Sequence, residues 1–111
     1  MIRLVPRIGD ALVGAPVAEL LVTEFLGISM AVEDIGGRLP RPAEGRPVDL
    51  DAVRCTALLD FLAAAEPAAL LERLDRRLPG EGAAALRARL DTLTAALRAG
   101  ARADGLRIET D

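Results

Sequence analysis

The amino-acid sequence predicts an all-α fold, a small bundle of three to four helices, and three observations carry that expectation. Alanine and leucine dominate the 51% of residues that are hydrophobic, while aromatic residues amount to 2%, Phe25 and Phe61 alone. Ala and Leu are the strongest helix formers, whereas strands favour the β-branched and aromatic types. Apolar residues recur at spacings of three and four along most of the chain. Pro and Gly fall where such segments would start and stop. With 111 residues, 28% of them charged, the chain fits a single helical domain over residues 1–111 with one modest core.

The first predicted helix covers residues 16–35. Pro16 suits its first position, because the N–H that proline lacks would have no partner there. Leu21, Phe25, Ile28, Val32, Ile35 and Leu39 then follow in the stripe of a helix that packs along its length. Gly36 and Gly37 end it, leaving Leu39 as a contact from the exit turn. Residues 37–48 hold three Pro and two Gly and read as a loop of unusual length. Asp49 is the expected N-cap of a second helix over residues 50–65, with Asp51 in its positively polarised first turn. Pro67 opens a third, over residues 67–78, with Leu71, Leu74 and Leu78 as its stripe. Pro79, Gly80 and Gly82 punctuate the chain. A fourth helix then repeats Leu86, Leu90, Leu93 and Leu97 and ends near Gly100, too short a heptad run to make a coiled coil. At the extremities Ile2 and Leu4, and Leu106 and Ile108, alternate with polar neighbours. That leaves room for a minor two-stranded β pairing of the chain termini, with each other or with a second copy.

Composition also excludes function classes. All 14 basic residues are Arg, and the formal net charge is −3. Such a chain has no general attraction for phosphate backbones and no aromatic platform for bases, so nucleic acid is not an expected partner. Without His it lacks the commonest metal ligand and the commonest general base, and a single Cys rules out an internal disulfide or a cysteine zinc site. No catalytic residue, metal or cofactor is therefore assigned. Arg3 and Arg7 precede a partly apolar stretch, but Pro16 and Glu19 interrupt it and no small-residue cleavage pattern follows. Glu19 and Glu24 also fall at the middle of the best candidate membrane window. The expectation is a cytoplasmic chain without a membrane span.

The candidate site residues come from breaks in the helical pattern. Val22, Leu26 and Met30 lie opposite the main stripe of the first helix, giving it two apolar faces. Either the helix is central and meets neighbours on both sides, or this second face is the seam of a homodimer, with Gly27 and Ala31 allowing close backbone approach on its flank. Glu24 lies at the edge of the main stripe, and Arg54 falls among Leu50, Ala57, Leu58 and Phe61. Each is a charge where an apolar side chain is expected, so the two are candidates for a buried ion pair or for the polar groups of a ligand site. The other reading sends Arg54 to solvent or to Asp51.

The remaining polar features read as structural. Glu33 and Asp34 point about 100° apart on a helix. Arg73, Arg76 and Arg77 alternate with Glu72 and Asp75 and can pair locally. Cys55 has no His to activate it and reads as a small buried hydrophobe, and Ser29 has no base. The run Pro79-Gly80-Glu81-Gly82 follows no strand and lacks a phosphate-binding Lys. The expected function is a non-enzymatic helical interaction module or accessory subunit that self-associates or binds a protein partner through helix one. The alternative is a helical-bundle enzyme or carrier that takes a small anionic or apolar ligand between helices, with Arg54 and Glu24 as its polar groups.

Overall fold

The computed structural model describes residues 1–9, 11, 12, 14–65 and 67–110. It corrects the all-α expectation: the chain is not a helical bundle but a mixed α/β fold of four helices and an antiparallel sheet. In order the elements are β1 (Ile2–Ile8), β2 (Ala11–Leu12), β3 (Ala18–Leu20), α1 (Val22–Asp34), β4 (Val48–Asp51), α2 (Ala52–Ala64), α3 (Pro67–Arg77), α4 (Ala83–Arg102) and β5 (Gly105–Thr110).

The pairing of the chain ends is present, and it is the middle of the sheet rather than a minor addition. β1 pairs with β5 in the register Ile2↔Thr110, Leu4↔Ile108 and Pro6↔Leu106, and β4 adds to the other side of β5 with Leu50↔Leu106. β2 and β3 share the remaining edge of β1, β3 against its first half and β2 against its end. They form one broken lane. Pro6 falls at that break, where a residue without an N–H leaves no ladder bond unmade.

Strand alternation sorts the side chains. Ile2, Leu4, Leu20, Leu50, Leu106 and Ile108 enter the core, while Arg3, Glu19, Asp49, Arg107 and Glu109 stand on the other face. That outer face is a charge lattice. Arg107 grips Asp49 through Nε at 2.8 Å and Nη2 at 3.1 Å, Arg7 reaches the same carboxylate at 3.3 Å, and Arg3 lies in register between Glu19 and Glu109. Cross-strand opposite charges suit a sheet with one solvated face.

α4 lies across the inner face and α2 packs on α4, with Gly100 so close to Cys55 that a Cβ there would come within 2.9 Å of its Sγ. α3 packs on α1. Gly105, with φ +142°, admits β4 to β5: a Cβ would fall 2.3 Å from the Leu50 carbonyl oxygen, so only glycine serves.

Three boundaries move for physical reasons. The first helix begins at Val22 and not at Pro16, because Ala18 and Leu20 are inward residues of β3 with Glu19 between them facing out. Three alternating residues are too few to outweigh a helical spacing in sequence, but the ladder with β1 decides. The N-cap of α2 is Asp51 and not Asp49; its Oδ1 accepts the Arg54 N–H at 2.7 Å, and Asp49 belongs to β4. The long connection after α1 gives up its last residue, Val48, to β4 and contains a tight Ala43–Arg46 turn. Its start is pinned by Ser29, whose Oγ donates to the Leu39 carbonyl at 2.6 Å beneath the surface.

Candidate interaction surface and polar clusters

The outward side of α1 keeps part of its apolar surface. Val22 is 41% exposed, and Leu26 and Met30 are half-buried. Arg77 lies over Met30, donating to its Sδ at 3.7 Å while clamping Asp34 at 2.7 and 3.0 Å. That clamp holds the Asp34 carboxyl below the usual aspartate range, first through the hydrogen bond and then through the charge of Arg77. The small residues of α1 do not flank a free seam. Gly27 is covered within the chain by Leu78, which would meet a Cβ there at 2.6 Å, and Ala31 is fully buried.

Leu21 also departs from expectation. Its backbone caps α1 and its side chain is 52% exposed, so the interior stripe begins at Phe25. Met1 at 41% and Val17 at 49% join it. Continuing the register places Met1 opposite Leu21, beside Val22, and puts Val17 farther along the same outer face, beyond Glu19. Beside them a groove of about 250 Å³ runs between α1 and the 40–44 stretch, floored by Ile2, Val22, Phe25 and Leu26 and edged by Arg41 and Glu44.

Glu24 is buried, as its position in the stripe implies, but Arg89 of α4 is its ion-pair partner and Arg54 is not. Oε1 of Glu24 accepts the Leu21 N–H at 2.9 Å, and Oε2 meets the Arg89 guanidinium, which in turn reaches Glu81 at 3.2 Å. Sequence reasoning missed Arg89, although the same signal marks it: it lies three residues after Leu86 and four before Leu93, within an apolar stripe.

Arg54 is exposed, since α2 turns Cys55 and Leu58 inward and leaves Arg54 on the flank. It nonetheless borders a surface cleft of about 250 Å³ together with Arg38, over a floor of Leu50, Leu58 and Phe61. Arg38 carried no periodic signal, being in a loop. Cys55 is fully buried and its thiol is pushed up to about 11, by burial first and by the Asp51 charge second, which disarms it as a nucleophile. Among the described residues no cluster of His, Cys, Asp or Glu could hold a metal ion, and no helix is long and apolar enough to cross a membrane. Arg76 pairs with Glu72 at 2.7 Å on the surface of α3, as the interleaved charges imply.

No protein-family model, curated protein or solved structure matches this chain.

Proposed function

We propose that the chain is an interaction module that associates with a second copy of itself through the outward side of α1 and the adjoining β3 edge. One observation carries the proposal: of the six large apolar side chains the described residues leave exposed, Met1, Leu21 and Val22 gather at one end of this edge. Scattered apolar side chains are ordinary on a surface, but a cluster next to an apolar groove suits a contact.

A second copy is the favoured occupant because the strip suits itself electrostatically. Arg41, which also holds Glu33 at 3.4 Å, and Glu44 edge the groove, and a two-fold axis between them would set Arg41 of one copy against Glu44 of the other. Backbone pairing through β3 is a poorer mode, since three residues with a charged Glu19 at the centre are a blunted edge. The reading goes with a cytoplasmic setting, where a lone reduced thiol such as Cys55 needs no partner.

Solution mass tests it. The wild type is expected near twice 11.7 kDa by light scattering, and the double variant Leu21→Glu, Val22→Glu near the monomer mass with an unchanged helical spectrum. Arg41→Glu should weaken the pair and adding Glu44→Arg should restore it. A wild type that stays monomeric up to about 0.5 mM, tighter than which any functional dimer would assemble, overturns the proposal.

A further inference from the structure

α2 and the stretch leaving α1 enclose the cleft that Arg38 and Arg54 share, on residues separate from those of the association strip. Its lining contains no carboxylate. Arg7, Arg41, Arg76, Arg77, Arg89 and Arg107 each meet an acidic side chain, whereas Arg46, Arg73, Arg87, Arg98 and Arg102 meet none among the described residues. Arg38 and Arg54 make no such contact with any described residue. Acids near them in sequence are engaged elsewhere: Oδ1 of Asp51 takes the backbone N–H of Arg54, Asp34 is clamped by Arg77 at 2.7 Å, and Glu33 is held by Arg41 at 3.4 Å. In a chain of net charge −3, two unneutralised guanidiniums therefore border one depression.

Beneath them the surface is apolar. Leu50 and Leu58 are buried and Phe61 is half-buried, with the Phe61 ring lying so close over Gly37 that a Cβ there would come within 2.4 Å of its Cε1. Guanidinium forks match a carboxylate, and an apolar floor rewards an apolar body. Size narrows the ligand further. A cavity of about 150 Å³ accepts benzene, so this cleft of about 250 Å³ suits one ring with a short tail.

We propose that the cleft binds a small amphipathic carboxylate, its anionic end between Arg38 and Arg54 and its ring or branched chain on Phe61 and Leu58. Phosphate alone would leave the floor uncovered, and a neutral hydrocarbon would leave the arginines unanswered.

The test is a backbone amide NMR titration of the whole chain with 3-phenylpropanoate, set against 3-phenylpropan-1-ol and inorganic phosphate. A ligand of this size should bind at about 0.1 to 1 mM and shift the amides of Gly37, Arg38, Arg54 and Phe61. The alcohol and phosphate should bind about tenfold more weakly or worse, since each offers half of the match. Arg38→Ala with Arg54→Ala should weaken 3-phenylpropanoate at least about tenfold. Ala57→Leu, which fills the cleft while keeping both charges, should do the same. All three positions are exposed, so the spectrum elsewhere should hold. Equal shifts with phosphate, equal binding of the alcohol, or indifference to both variants would each overturn the proposal.

Discussion

Replacing Glu24 by alanine removes two interactions from a residue that is only 7% exposed. Oε1 accepts the Leu21 N–H at 2.9 Å, satisfying a donor at the start of α1, and the loss of such a cap contact costs about 1 kcal/mol. Oε2 pairs with Arg89, and breaking a fully buried pair costs about 3–5 kcal/mol. Arg89 is a third exposed and keeps Glu81 at 3.2 Å, so the ion-pair share falls to about 1–2 kcal/mol. The sum is a loss of about 2–3 kcal/mol, which for a chain of this size lowers Tm by about 8–12 °C. Glu24→Gln keeps an acceptor for Leu21 and should show about half of the loss. Urea melts of Glu24→Ala, Arg89→Met and the double variant isolate the pair, with an expected coupling of about 1 kcal/mol. A Glu24→Ala loss under about 1 kcal/mol, or a coupling near zero, would refute the reasoning, because it would make Glu24 a solvated carboxylate.

The Asp49 carboxyl is held below the usual aspartate range, first by the Arg107 hydrogen bond and then by the charges of Arg107 and Arg7. A depressed folded pKa contributes stability above about pH 4 that is lost as the pH falls through the folded value. Urea midpoints should therefore drop on acidification below about pH 4. Asp49→Asn should flatten part of that drop, by under about 1 kcal/mol for a carboxylate this open to solvent, and an unchanged profile would contradict the assignment. Cys55, buried and with its thiol raised to about 11, should react with iodoacetamide at pH 8 at least about 100-fold more slowly in the native protein than in concentrated urea. Comparable rates would mean that the thiol is open.

Much of the helical half was legible because it rests on strong local signals. Pro67 does open α3 and Leu74 is buried, and Leu86, Leu93 and Leu97 do form the inward stripe of α4. The sheet was not legible beyond its two end strands. In β4 the sequence Val48-Asp49-Leu50-Asp51 alternates inward and outward, the signal that marked Ile2 and Leu4, but the two aspartates also resemble helix caps and the segment is short. In β3 the residues Ala18 to Leu20 continue a helical spacing that holds from Phe25 onward, and only pairing with β1 overrides it. The same ambiguity misassigned Arg54. Its apolar neighbour Leu50 is a strand residue, so the face that seemed to enclose it does not exist on α2. Glu24 was correctly singled out as a charge in an apolar stripe, but its partner lies 65 positions along the chain and no local pattern names it.

The sheet's innermost ladder joins β1, the second residue onward, to β5, which begins at Gly105. Zipping it closes a loop of nearly the full chain, an entropic toll of about 4 kcal/mol. Helices α2 and α4 can coil as soon as they are made, but the sheet they rest on is finished only when β5 arrives. Folding should therefore be slow for so helical a chain and limited by this long-range step. During synthesis the leucines of α4 wait without their sheet, at the mercy of chaperones and neighbours, until β5 is free to dock.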